Sequence, residues 1–196
     1  MAYEKEIKLI REMAEKSVAF THAMGVLMYD AETIAPEKSV EGRGRTFAVL
    51  GDLQYQMMVD PELNEALDTL NAHIDEFDEY ERREIILSTK KVRSVSSVPK
   101  DEYIDSLVLV DEATDAWKKA KAAADYSIFE PYLERIVEYN RKLAGYLNPE
   151  MKPYDSLLDL YEEGLTMEFC DKFFEELKAG LIPIIREVEA APQIDN

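Results

Sequence analysis

The stretch SIFEPYLERIVEYNRKLAGYL, residues 127–147, places apolar side chains at Phe129, Leu133, Ile136, Val137, Leu143 and Leu147. Steps of three, four or small multiples gather these residues on one face of a helix, where a strand would need strict alternation. The same spacing recurs on either side. Glu4 to Tyr29 forms a first helix that the Ala35-Pro36 break closes, and Val40 to Val59 forms a second. Asp60-Pro61-Glu62 then starts a third, with aspartate as N-cap, proline in the first turn and Leu63, Leu67 and Leu70 as its face. A charged stretch from Asp75 to Arg83 leads into a further helix, and Val98-Pro99 interrupts it before a long one carrying Ile104, Leu107, Ala113 and Trp117. Asp125 or Ser127 caps the helix that follows, and Asn148 to Tyr154 is the longest loop. A short helix from Asp155 ends at Gly164 as a left-handed C-cap, and Thr166 caps a last helix bearing Phe169, Phe173, Leu177, Leu181, Ile184, Ile185 and Val188, with a kink at Pro183. No alternating run persists, so the expected fold is all-α, a multi-helix array forming one helical region over residues 1–196.

Of the 196 residues, 41 are acidic and 23 basic, a formal charge of −18, while 46% are hydrophobic. The apolar share supports a packed core, and the charge repels phosphate backbones and anionic lipid, so nucleic acid and membranes are poor partners. The N-terminal residues lack a basic segment followed by an apolar one, and no run approaches the ~20 apolar residues that span a bilayer. With the single cysteine, Cys170, this gives a cytoplasmic expectation.

Few groups here carry chemistry. The two histidines, His22 and His73, stand in no HExxH pattern and have no glutamate three residues before them. No metal ligands and no catalytic residues are therefore assigned. Cys170, among Phe169, Phe173 and Phe174, reads as an inert core thiol. The Gly42-Arg43-Gly44-Arg45 segment follows no strand and lacks the GK[ST] signature, so it reads as a helix start or turn. Neighbouring acids such as Asp30 and Glu32, Glu162 and Glu163, or Glu175 and Glu176 are expected by chance in so acidic a chain.

One stretch is not explained by helix making alone: residues 21–36, THAMGVLMYDAETIAP, followed by Arg43. It resembles the start of the carboxypeptidase Taq family of metallocarboxypeptidases, which carries a similar His-Ala-x-Gly-x-Leu-x-Trp-Asp-x-Glu-Thr-x-Met-Pro pattern and a later arginine. Asp60 to Leu63, the region from Ala116 to Leu133 and the segment from Pro153 to Thr166 resemble that family in the same order. Tyr29 stands where the family usually has tryptophan, Ala35 where it has methionine, and Lys38-Ser39 where glycines are common.

What the resemblance implies is removal of C-terminal residues from peptides by a full-length protein that holds one metal ion, zinc or cobalt, on two histidines and a glutamate. The family's HExxH helix and downstream glutamate would lie beyond Gln193-Ile194-Asp195-Asn196, where the sequence reads as cut in a connection. This region is then the N-terminal part of a larger helical metallopeptidase fold, a wall of the peptide groove that is inactive alone, and homodimers are common in the family. Within the motif, Tyr29, Asp30, Glu32, Thr33 and Arg43 are expected to be structural, the carboxylates bonding free amides at the helix end and Arg43 supplying a paired charge. A free-standing helical interaction module without activity is the alternative. A carboxylate-only ion binder has little support, because no calcium-loop spacing occurs.

Overall fold

The computed structural model describes residues 3–192. It is an array of eight α-helices joined by short connections, with no strand among the described residues. Packing divides the chain more finely than the single region read from the sequence, into two compact units, Met1–Leu147 and Asn148–Asn196. The last four residues, read above as a cut connection, lie outside the described ones.

The first unit contains α1 (Glu4–Thr33), α2 (Val40–Met58), α3 (Pro61–Ala72), α4 (Glu79–Ser96), α5 (Lys100–Ala123) and α6 (Glu130–Leu147). Its core is built from one side of each of the first four: Ile10, Met58, Leu70 and Ile85 are fully removed from solvent, and Val92 of α4 nearly so. Each such side chain contributes about 1.5–3 kcal/mol of gross burial energy. Asp60 caps α3 as expected, its carboxylate accepting from the Leu63 amide at 3.0 Å, and Pro61 occupies the first turn.

Within the first unit, helix boundaries differ from the sequence reading in three places. α1 continues past Tyr29 to Thr33, because Ile34 N–H still reaches the Asp30 carbonyl; the chain leaves the helix only as it approaches Pro36. The charged stretch from Asp75 is partly helical: Asp78 accepts from Glu81 N–H at 2.8 Å and begins α4 at Glu79. α5 ends at Ala124, which takes a left-handed conformation (φ 52°), and Asp125 then caps a short 3₁₀ turn, Tyr126–Ile128, ahead of α6.

α2 makes its most extensive contacts with α5. Gly44 and Gly51, one heptad apart on α2, face it: a Cβ at Gly44 would lie 3.6 Å from Val108 Cγ1, and one at Gly51 would collide with Leu107. Along this seam Tyr103 of α5 is partly buried, its ring 5.7 Å from Tyr55 and its hydroxyl donating to Gln54 Oε1 at 3.0 Å. α6 covers α5 with half-buried Phe129, Leu133, Ile136, Leu143 and Leu147, while Val137 stays exposed and the buried position is Ala144. Trp117 is half exposed with Lys121 Nζ 4.9 Å from its ring.

The second unit holds α7 (Pro153–Leu158) and α8 (Met167–Ala190). α7 starts at Pro153 and ends at Leu158, short of Gly164; that glycine does adopt φ +79°, but in a turn where its N–H donates to Asp159 Oδ1 at 2.8 Å. Thr166 caps α8 by accepting from the Phe169 amide, and the buried Asp155 carboxylate accepts from Met167 N–H at 2.7 Å. The helix runs through Pro183, whose missing N–H leaves the Ala179 carbonyl without its usual intrahelical donor. No residue of α8 is buried. Phe169, Phe173 and Phe174 are about half exposed or more, so Cys170 beside them is only half-buried and not the core thiol expected.

Burial pushes the Tyr103 hydroxyl up to about 12 from its usual 10. Between these values the unfolded chain gives up the phenolic proton while the folded chain keeps it, so the unfolded state binds fewer protons and stability falls as pH rises. Urea midpoints measured from pH 9 to 11.5 are expected to decline over this window, and Tyr103→Phe to flatten part of the decline. An unchanged slope in the variant would contradict the burial of this side chain.

Candidate functional site

The motif that singles out this chain lies on the last turns of α1 and the first of α2. Tyr29 is 71% exposed, and its carbonyl accepts from Thr33 Oγ1 at 2.7 Å. Asp30 and Glu32 are exposed, and no side-chain hydrogen bond or ion pair is found for either among the described residues; Asp30 serves the helix end through its carbonyl, which accepts from Ile34 and Ala35. Arg43 differs from both. Its Nε donates to Asp111 Oδ1 of α5 at 2.5 Å and its Nη1 to Ser39 Oγ at 3.3 Å, with side-chain exposures of only 10% for Arg43 and 6% for Asp111.

A charge pair this dry is retained only where both members are held, since removing either strands the other in a poor solvent for ions. Asp111 reaches its position because α5 presents Leu107, Asp111, Thr114 and Lys118 in steps of four, three and four, one helical face turned toward α1 and α2. Lys118 Nζ donates to the Ala31 carbonyl at 3.0 Å and so ties α5 to the end of α1. Thus Arg43, read from the sequence as a paired charge, has its partner 68 positions away, and sequence reading assigned neither Asp111 nor Lys118. The available signal was an acid in helical register with Ile104 and Leu107.

Between α1, α2 and α5 lies a cavity of about 130 Å³, lined by Met24, Met28, Ala31, Glu32, Phe47, Leu107, Val110, Asp111 and Thr114. Asp111 Oδ2 is buried and has no hydrogen-bond partner among the described residues. Elsewhere, His73 Nδ1 meets Glu76 Oε1 at 2.9 Å, and His22 is exposed on α1. No group of three or more His, Cys, Asp or Glu side chains able to hold a metal ion occurs among the described residues, so the metal that a metallopeptidase needs does not fit the groups present here. None of the described helices is long and apolar enough to cross a membrane.

Helices alone do not select an activity. The sequence pattern of the carboxypeptidase Taq (M32) metallopeptidases matches residues 9–196, and the chain belongs to that family. It is 30% identical over 189 residues to carboxypeptidase 1 of Bacillus subtilis, covering 96% of this chain and 37% of that one. It is 32% identical over 182 residues to thermostable carboxypeptidase 1 of Pyrococcus furiosus, covering 93% and 36%. Solved structures agree: the crystal structure of BsuCP superimposes with a TM-score of 0.84 at 30% identity, covering 97% of this chain and 38% of that one. The Pyrococcus furiosus carboxypeptidase in its apo-Mg form gives 0.77 at 30% identity, covering 96% and 37%. The chain therefore spans a little over a third of the length of the curated relatives it matches.

Removing one member of the Arg43–Asp111 pair is expected to cost about 3–5 kcal/mol, because it leaves the other charge buried and unmatched. Arg43→Met should lower the urea midpoint sharply, and the double variant Arg43→Met/Asp111→Leu should recover most of the loss. A double variant no more stable than the single would show that the pair is not the unit holding α2 to α5.

Proposed function

We propose that this chain is the N-terminal, cleft-wall region of a metal-dependent carboxypeptidase that removes C-terminal residues from peptides, and that it does not catalyse the reaction alone. The observation that carries the proposal is the coverage: a helical chain matched over 96% of its own length to 37% of a carboxypeptidase. In this reading the peptide is the substrate of the whole protein, and the zinc or cobalt ion that acidifies a bound water belongs to the remaining part. Support for inactivity comes from the residues themselves. Two histidines, one exposed on α1 and one held by Glu76, do not make the ligand set such chemistry needs.

Support for the wall role comes from α8, whose apolar residues Leu181, Ile184, Ile185 and Val188 are 45%, 56%, 46% and 66% exposed. A face of this kind is built to be covered. The remainder of the fold covers it in the first reading, and a second copy completes a homodimer. A free-standing helical interaction module is favoured by the same face and by the absence of a ligand set among the described residues. The cytoplasm is the compartment we assign, on the lone cysteine and the charge of −18, which also disfavours nucleic acid and anionic membranes as partners.

Two measurements test this reading. Elemental analysis after gel filtration is expected to find no stoichiometric zinc or cobalt in the purified chain, and incubation with peptides to release no C-terminal residues. About one ion per chain, or hydrolysis that survives repurification, would overturn it. At ~25 cal/mol per Å², a few hundred Å² of exposed apolar surface on α8 represents several kcal/mol of gross driving force for association. Charge repulsion opposes this, so sedimentation should show self-association that strengthens as added salt screens the acidic surface. A strictly monomeric chain at all salt concentrations, with α8 helical, would count against a face that seeks cover.

A further inference from the structure

We infer that the exposed face of α1 centred on Val18 is a docking surface for a second copy of this chain, the two α1 helices running antiparallel about a two-fold axis at Val18. This face is separate from α8, and the inference holds whether or not the chain joins the remainder of a carboxypeptidase.

α1 buries Ile7, Ile10, Met13 and Ser17, and nothing beyond Ser17. Arg11, Glu15, Val18, His22, Gly25 and Tyr29 recur on it at steps of three and four and so share a second face. All six are exposed, Val18 at 69%. Such spacing is the one with which a helix packs along another helix. Two hollows adjoin this face where α1 runs beside α4. The first, about 510 Å³, is lined by Tyr3, Ile7 and Phe77 together with charged side chains. The second, about 500 Å³, is lined mainly by apolar groups, with Ala14, Val18 and Leu87 among them and His22 and Lys91 beside them. Between them in chain order Arg11 reaches across to α4, its Nη2 donating to Glu84 Oε2 at 2.9 Å.

The order of residues along the face matches its own reverse. Antiparallel pairing about Val18 sets each residue against one equally far on the other side of the axis. Glu15, three residues before Val18, then meets the partner's His22 and, beside it, the partner's Lys91. Neither Glu15 nor Lys91 has a side-chain partner among the described residues, so each copy supplies the charge that the other lacks. Gly25 meets the partner's Arg11, the bulkiest part of the seam. A glycine inside a helix gives up stability, and no atom lies within 4 Å of the place its Cβ would take, so nothing within the chain calls for it. Tyr29, eleven residues past Val18, arrives at the first hollow, because Ile7 stands eleven residues before Val18. There its ring finds Ile7 and Phe77, and its hydroxyl the charged rim.

The chain's charge of −18 opposes pairing, but this face holds one acid and one base of its own, and the base is already paired. From Ile7 to Tyr29 it is roughly 33 Å long and, with the adjoining edge of α4, about 15 Å wide. About 500 Å² a side reaches the ~1,000 Å² in total at which specific interfaces begin, so a weak dimer is expected, with the charge pairs setting its register.

The test is sedimentation and disulfide trapping of the full chain carrying Ile184→Lys and Val188→Lys, which take the exposed α8 face out of play, with circular dichroism as a check on folding. A dimer that forms with rising concentration is expected. Glu15→Lys and Lys91→Glu, both at exposed side chains, should each weaken it at least tenfold, and an equimolar mixture of the two variants should pair as tightly as the parent. With Cys170→Ala added, Val18→Cys should be trapped as a disulfide-linked dimer by oxidised glutathione, whereas Lys16→Cys, on the opposite side of α1, should not. A chain that stays monomeric, including one whose α1 face is covered only on adding the remainder of a carboxypeptidase, would overturn the inference. So would a dimer indifferent to both charge reversals, or trapping as fast at position 16 as at position 18.

Discussion

Leu107 of α5 fills the space in which a Cβ at Gly51 of α2 would lie, and Val108 stands 3.6 Å from the corresponding point at Gly44. Gly51 gives up helix propensity, roughly 1 kcal/mol relative to alanine, and what it gains is proximity, whereas a Cβ at Gly44 would make only an ordinary contact. With α2 drawn close, Tyr103 is shut between helices with its hydroxyl on the buried Gln54, and the Tyr55 ring lies 5.7 Å away while its own hydroxyl donates to the Val98 carbonyl. The seam therefore holds α2 both to α5 and to the chain that leads into α5.

The same approach explains why Arg43 and Asp111 are so dry. Arg43 lies next to Gly44, in a turn of α2 that packs against α5, and the pair is enclosed by the packing. An ion pair in such a setting adds little net stability compared with well-packed apolar residues, but it penalises any register in which the two do not meet. We read it as a registry device. Glycine contacts set the distance between α2 and α5, and the charge pair sets their relative slide. The cost of this arrangement is the second oxygen of Asp111, which is buried with no hydrogen-bond partner among the described residues.

The helices were legible wherever their signals are local. Asp60-Pro61 announces α3 because a cap and a fixed φ act within one turn, and Thr166 announces α8 for the same reason. Gly164 misled because a left-handed residue serves a turn as well as a helix end, and only the Asp159 side chain decides between them. At the motif, the sequence singled out Arg43 and expected a charge partner, but Asp111 is supplied by a helix 68 positions along and is marked only by its helical register with Ile104 and Leu107. Asp30 and Glu32 were expected to bond free amides; among the described residues their side chains do not, and Asp30 acts through its carbonyl. The exposure of α8 was foreshadowed by an apolar stripe with no complementary stripe assigned to it.

Membership in the carboxypeptidase Taq family gives these features a common setting: a helical array with a buried charge pair in one unit and an exposed apolar helix in the other. The central proposal is that the chain joins the remainder of a carboxypeptidase. The most direct test is to mix the purified chain with the separately produced remainder of Bacillus subtilis carboxypeptidase 1, the part outside the matched 37%, and to measure complex formation together with release of C-terminal residues from a peptide in the presence of metal. The account predicts a one-to-one complex whose activity exceeds that of either part alone. Two folded parts that neither associate nor gain activity on mixing would contradict it.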